Sequence, residues 1–457
     1  MFKRFGLVLS ITLVMSLVCA GLVLAQSRDG DEGDPAADEE FAEETAGLDA
    51  GDPVPGDYIV LLEDEVENPS AVADDLSGDL DLQTTSIYDD AIEGFAAEVP
   101  SAELSELRAD PRVEAVVQDR VVKATAQSSP TGIRRVDADQ SSALAGNGTG
   151  VVDADIAVLD SGISKGHTDL NLAGGTNCTG GNKSAYSDGD GHGTHVAGTA
   201  AARDNDIGVV GVAPGARLWA VKVLGNDGSG TTSTLICGID WVTGKNTDGV
   251  SSNDIEVANM SLGVTVSGSD NGACGWDRDR TIAALHQAVC ESVDAGVFYA
   301  VAAGNERENF NKNVPASFDQ VLAVTAMADF DGDPGGGANP TCARDRDDTA
   351  ANFSNFASAG SADAQHTIDA PGTCIRSTWK KGGYKTISGT SMASPHVAGT
   401  AALCIASGSC PRNDPVGTMT RLRTDAAAQP ASYGYRGDPG DPIQSRYYGY
   451  LVYAGDY

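Results

Sequence analysis

The sequence predicts an α/β fold, a mainly parallel sheet with helices on both faces, preceded by a small α+β domain. Three observations carry this. From Asp155 onward, apolar runs recur at Ile156–Leu159, Leu218–Leu224, Ile255–Met260, Val297–Ala303 and Val321–Thr325. They are continuous rather than alternating, as strands buried on both faces must be. Between them lie helical stretches, one opening at Asp190-Gly191-His192 and others at Thr232–Val242 and Thr281–Ala295. Strand–helix alternation of this kind requires crossover connections and parallel pairing. Upstream, Tyr58–Val122 has its own shorter strand–helix pattern. The 457 residues, 41% of them hydrophobic, suffice for two or three domains.

In chain order, Lys3 and Arg4 precede an apolar run from Phe5 to Leu24, and Val23-Leu24-Ala25 offers a small-residue cleavage site. Residues 1–25 therefore read as a secretory signal peptide, so the chain is expected to be secreted, extracellular and free of stable membrane association after cleavage. Residues 26–55 are acidic and poor in large apolar side chains, the composition of a disordered spacer. The formal net charge is −35, which argues against nucleic acid or anionic membranes as partners. Roughly two-thirds of that charge lies before Ala126.

The module that follows contains strand-like Tyr58–Leu62, helix-compatible Pro69–Leu76, strand-like Ile92–Val99, and a capped helix start at Ser101 with Leu104 and Leu107 three apart. Val113–Val117 and Val121–Val122 supply further strand. The order β-α-β-α-β predicts a ferredoxin-like sandwich over residues 56–125. Its place after a signal peptide suggests a prosegment.

In the larger domain, residues 126–457, Asp160 ends a strand and Asn305 follows another, and sites in parallel sheets lie at such carboxyl ends. His192 opens a helix. Ser391 opens a run of small and apolar residues from Gly389 to Leu403 that reads as a buried helix, with Pro395 expected near its first turn. These four residues are the parts of one chemistry. A serine needs a base, a histidine supplies it near neutral pH, and an aspartate fixes the imidazole tautomer. An asparagine amide, with the Ser391 N–H, can hold a tetrahedral oxyanion. His192 and His195, three apart, also have a zinc-like spacing, but His195 and His396 read more simply as packed helix residues.

Asp160-Ser-Gly, His192-Gly-Thr-His-Val-Ala-Gly, Ala303-Gly-Asn305 and Gly389-Thr-Ser391-Met-Ala-Ser-Pro resemble the four signature blocks of the subtilisin-like serine proteases. Tyr58–Val122 resembles that family's inhibitory propeptide, and Ala126–Ile133 is similar to the mature amino terminus of bacterial subtilisins. The resemblance implies a secreted serine endopeptidase working through an acyl-enzyme, made as a zymogen that cuts itself between about Thr125 and Ala126. Its partners would be extended polypeptide substrates and its own propeptide, and it would be a monomer. Ser261-Leu262-Gly263 and Gly228-Ser229-Gly230 resemble the two strands that pair with substrate, and Ala303 and Gly304 belong to the primary-pocket wall. Glu306, beside Asn305, is expected to favour basic side chains. A transpeptidase or peptide ligase with the same nucleophile, and a non-catalytic binding protein on the same fold, are the alternatives.

The resemblance also places a structural Ca2+ on Gln127, Asp169, Asn205, Ile207 and Val209, all oxygen donors suited to a hard cation. Asp329-Phe-Asp331-Gly-Asp333 has calcium-loop character too, but Pro340 stands where a final glutamate belongs, so a solvated acidic insert is the expectation. Of nine cysteines, Cys19 lies in the signal peptide. The remaining eight suggest disulfides, with 105 possible pairings. Cys404 and Cys410 can close a small loop, and Cys274–Cys290, Cys342–Cys374 and Cys178–Cys237 are the other candidate pairs.

Overall fold

The computed structural model describes residues 53–63, 66, 68–120, 127–267, 274 and 283–457. The expected signal peptide, the acidic spacer as far as Asp52, the Val121–Val122 strand and the expected processing point at Thr125–Ala126 lie outside the described residues. The chain divides into two compact units, residues 1–124 and 125–457.

The first unit is a four-stranded antiparallel sheet. Pro53–Leu62 and Gly94–Glu98 are its central strands, Val113–Arg120 and Gln83–Tyr88 its edges. The helix Pro69–Leu80 starts where the Asn68 side chain accepts the Ala71 N–H at 3.1 Å, with Pro69 in the first turn where a missing N–H costs least. It buries Ala73, Leu76 and Leu80 with Val60, Leu62 and Phe95 of the sheet. The expected β-α-β-α-β gains one strand, Gln83–Tyr88. Its residues are almost all exposed and polar, so the sequence carries no apolar period to mark it. The second helix is one turn, Leu104–Leu107.

The second unit is built on an eight-stranded sheet. Across it run Thr349–Ala350, Leu322–Ala328, Phe298–Ala302, Val257–Met260, Asp155–Asp160, Arg217–Lys222 and Leu172–Asn177, with Thr367–Pro371 also paired to Leu322–Ala328. Every pairing is parallel except that of Thr349–Ala350. Alternate residues feed two cores. Ile156 and Val158 pack with Val196, Ala197, Met392 and Val397 on one face. Ala157 and Leu159 pack with Leu235, Ile239, Leu285 and Val289 on the other. The helices Thr232–Thr247 and Ala283–Asp294 therefore cover one face, and His192–Ala201 and Thr390–Ala406 the other.

Those last two helices come close because their contact is small. A Cβ on Gly399 would lie 2.6 Å from Val212 Cβ and 2.9 Å from the Ala200 carbonyl oxygen. Besides two-residue strands such as Thr349–Ala350, the strands absent from the sequence reading are Gly-rich Leu172–Asn177, short Thr367–Pro371, and the hairpin Ile375–Trp379 with Gly383–Ile387. Of the expected solvated insert, Asp333 is exposed and Asp331 half-buried, but Asp329 at its start is buried, as are Asp345, Asp347 and Asp348 further on. Asp347 accepts the Phe330 and Ala338 N–H groups at 2.8 Å, and Asp348 pairs with buried Arg135 at 2.8 Å, so the acids are held by donors rather than water. Among the described residues no helix is long and apolar enough to cross a membrane.

Candidate active site

Asp160 is the last residue of its strand and fully buried. His192 is the first residue of its helix, and its Nδ1 lies 2.9 Å from both Asp160 carboxylate oxygens. The carboxylate can only accept, so Nδ1 carries the proton and Nε2 is left as the basic nitrogen. Gly191 precedes the helix at φ +115°, and a Cβ there would stand 2.4 Å from the Trp379 ring, so both backbone and space demand glycine.

Asp188, not singled out in the sequence, ties these parts together. Its Oδ1 accepts from the Ser161 hydroxyl at 2.9 Å and the Gly191 N–H at 2.8 Å, and its Oδ2 accepts the Thr194 N–H at 2.9 Å. One buried carboxylate thus caps the His192 helix and holds the loop after Asp160. An acid shortly before a helix start, with threonine in its first turn, is the signal that marks it.

Burial works against a charged His192 ring, but the Asp160 carboxylate, with Asp190 and Asp188 behind it, outweighs this and raises its pKa to about 9. His195 goes the other way. Burial pushes it down to about 3, and its Nε2 donates to the Ile375 and Lys385 carbonyls at 3.0 Å, the packed role expected of it. His396 is likewise buried and lowered to about 4, with Nδ1 bonded to the Met392 carbonyl.

Ser391 is the second residue of the helix Thr390–Ala406 and is half-buried. Its hydroxyl donates to the Ser261 carbonyl oxygen at 3.2 Å. Asn305 is exposed, and its Oδ1 accepts both the Thr390 N–H at 2.8 Å and the Thr390 hydroxyl at 3.1 Å. With the oxygen engaged, the amide NH2 is free to donate. Thr390, which also accepts the Gly304 N–H at 3.1 Å, was not anticipated. Pro395 is corrected from the first turn to the sixth helix position.

Two cavities flank these groups. The larger, about 680 Å³, is lined by His192, Gly228, Ser229, Gly230, Ser261, Leu262 and Gly263 among others. The smaller, about 230 Å³, is lined by Ser261, Leu262, Gly263, Ala303, Gly304, Asn305, Glu306 and Ser391 among others. All eight residues expected to meet substrate thus border one or both. The Glu306 carboxylate is fixed there by the Asn355 Nδ2 at 2.7 Å.

The expected calcium ligands converge on one loop. Asp169 is buried, its Oδ1 accepts from Asn205 Nδ2 at 3.1 Å and its Oδ2 from the Val209 N–H at 3.0 Å. Asn205 Oδ1 accepts the Ile207 N–H at 2.9 Å, and Gln127 Nε2 donates to the Arg203 carbonyl at 2.7 Å. Burial raises the Asp169 pKa, and its bonded partners, Tyr384 included, are all neutral donors. A buried carboxylate without a cationic bond partner, beside amide and carbonyl oxygens, fits a hard cation once the Gln127 amide turns its oxygen inward. Asp329, Asp331 and Asp347 form a separate acidic cluster. The disulfides are Cys178–Cys237, Cys274–Cys290, Cys342–Cys374 and Cys404–Cys410, the four candidate pairs of the sequence.

The fold sets buried Asp160 against His192 and places Ser391 next to Thr390, which Asn305 holds, and the cavity lined by His192 and the one lined by Ser391 share Ser261, Leu262 and Gly263. On a doubly covered parallel sheet this is the residue set of a serine peptidase. The chain belongs to the subtilase family, whose sequence model matches residues 150–450, and the Peptidase inhibitor I9 model matches residues 58–125. Subtilisin E of Bacillus subtilis (strain 168) is 38% identical over 317 residues, 69% of this chain and 71% of its own. The thermostable alkaline protease of Halalkalibacterium halodurans is 36% identical over 350 residues, 76% of this chain and 80% of its own. The crystal structure of a cold adapted subtilisin-like serine proteinase is 29% identical and superposes with a TM-score of 0.51, covering 71% of this chain and 97% of that one. The protein is a serine endopeptidase made as a zymogen, with a propeptide and peptide substrates.

Proposed function

We propose that Ser391 is the nucleophile, His192 its general base, Asp160 the group that orients the base, and Asn305 with the Ser391 N–H the oxyanion site. The Asp160–His192 contact at 2.9 Å carries this reading, because it reserves Nε2 as a proton acceptor. Ser391 Oγ attacks the scissile carbonyl carbon as its proton passes to Nε2. The oxyanion accepts from the free Asn305 amide, and Nε2 then protonates the departing amine. Water attacks the resulting ester, gives its proton to Nε2, and the proton returns to Ser391. Extended substrate pairs with Ser261–Gly263 and Gly228–Gly230 as an added strand. A fluorophosphonate label located by peptide mapping tests the assignment: attachment to Ser391 is expected, and attachment to another serine would overturn it.

Residues 1–25 act as signal peptide, 26–55 as spacer and 56–125 as propeptide, releasing a secreted, monomeric domain of residues 126–457 after a cut near Thr125–Ala126. Glu306 directs basic side chains into the smaller cavity. Lysine substrates should therefore be cut faster than phenylalanine ones, and Glu306→Gln should erase the difference; an unchanged preference would remove Glu306 from specificity.

Only neutral His192 can take a proton, so kcat/KM should climb with pH and level off above about 9. The raised value also makes the charged pair stabilising below about pH 6.5, an increment lost as pH rises through about 9. Asp190→Asn should move the activity limb to lower pH. A wild-type limb near 6.5 would show that these carboxylates do not govern the base.

Gln127, Asp169, Asn205, Ile207 and Val209 would hold a structural calcium, which supplies positive charge to buried Asp169 and ties the segment at Gln127 to the loop 205–209. Chelation should lower Tm by roughly 5–10 °C, the scale expected when a tightly held ion is withdrawn. Asp169→Asn should abolish the calcium dependence of Tm.

A further inference from the structure

We infer that Asn259 and Ser394 are positioning residues for Ser391, acting through the Ser261 hydroxyl. The inference rests on Ser391 being the nucleophile. In a regular helix the Ser391 carbonyl would accept the N–H of residue 395, but Pro395 has none. The Ser261 hydroxyl takes that carbonyl at 2.7 Å. The Asn259 Nδ2 donates to Ser261 Oγ at 2.9 Å, and the Ser394 hydroxyl donates to Asn259 Oδ1 at 2.7 Å. Ser394 and Asn259 have no exposed surface, and Ser261 is 4% exposed.

Every proton in this chain points the same way, from Ser394 through Asn259 and Ser261 to the Ser391 carbonyl. Such a chain strengthens each of its bonds, and its burial leaves no water to substitute for a missing member. Ser391 Oγ donates to the Ser261 carbonyl at rest, a bond it gives up when its proton passes to His192 Nε2, whereas the bond from the Ser261 hydroxyl to the Ser391 carbonyl is kept. That lasting bond sets the register between the nucleophile and the strand expected to hold substrate. Asn259 belongs to the strand Val257–Met260 and Ser394 to the Ser391 helix, so helix and sheet are locked through polar groups at the point where attack geometry is decided.

The test is a double-mutant cycle on Ser394→Ala and Ser261→Ala, measured on active-site-titrated enzyme with one peptide amide substrate. Each single variant should lower kcat by about 10-fold, the value of one buried hydrogen bond, with KM within about twofold. The double variant should match Ser261→Ala alone, because both changes cut one chain. The pH limb should not move, since Asp160 and His192 are untouched, and Ser394→Thr should restore kcat. Ser394→Cys, which keeps the volume but weakens the donor, replaces Ser394→Ala if the latter fails to fold. Additive losses, or a lowered Tm with unchanged kcat, would overturn the inference. A wild type whose Ser391 resists the fluorophosphonate label would overturn the nucleophile assignment as well, whereas a labelled wild type with additive variants overturns only this one.

Discussion

Ser391→Ala should reduce casein hydrolysis by roughly 10⁶-fold in kcat, the size of loss that removal of a triad nucleophile causes. No neighbour can replace the lost hydroxyl: Thr390 is committed to Asn305 and Gly304, and Ser394 to Asn259. The fold should be unaffected, because Ser391 is half-buried and its hydroxyl makes one bond, to the Ser261 carbonyl. A change in stability within about 0.5 kcal/mol is expected. Intact mass is the second readout. Purified wild type should lose mass corresponding to cleavage near Thr125–Ala126, while the alanine variant, prepared with inhibitors of other proteases, should retain it. Processing of the variant under those conditions would show that another group, or another enzyme, cuts the chain.

Asp160→Asn should cost roughly 10⁴-fold in kcat, a loss established for this substitution in triad proteases on another fold. The local geometry supplies the reason. Asp160 Oδ1 also accepts the Ser161 N–H at 2.6 Å. An asparagine would give its oxygen to that N–H and turn its NH2 toward His192 Nδ1. Nδ1 would then have to accept, the proton would sit on Nε2, and the base would be blocked. The substitution also removes the charge that does most to raise the His192 pKa, so the residual activity should show its pH limb shifted downward. Stopped-assay kcat across pH 6 to 11, with inhibitor titration to count folded sites, separates these effects from misfolding. Near wild-type kcat would show that Asp160 does not orient the base.

The parts of the fold that were legible are those whose local chemistry matches their final place. Ile156–Leu159 reads as a doubly buried strand because Ile156 and Val158 face one core and Ala157 and Leu159 the other. The Gly389–Leu403 run reads as a buried helix because its residues are mostly small or apolar on every side, and it ends buried on nearly every side. The hairpin Ile375–Trp379 with Gly383–Ile387 was not legible. Its sequence mixes Arg376, Ser377, Thr378 and Lys385, and Ser377 and Thr378 are buried only because their hydroxyls meet the His195 and Thr194 carbonyls at 2.8 and 2.7 Å. The burial of Asp348 was equally hidden, since its donor Arg135 lies 213 residues away.

From the sequence alone came the residue types of the site and their order, Asp160, His192, Asn305 and Ser391, together with two domains and an alternating strand–helix pattern. Those follow from short-range rules of periodicity, capping and motif spacing. The state of each group was decided only by tertiary structure. Whether His192 holds its proton near pH 9 depends on Asp160, Asp188 and Asp190 meeting around it. Whether Asn305 offers its NH2 depends on Thr390, 85 residues on, occupying its oxygen. Whether the Ser391 carbonyl is satisfied depends on Ser261 replacing the N–H that Pro395 lacks. Burial, charge and hydrogen-bond direction are properties of neighbours in space, and no spacing along the chain encodes them.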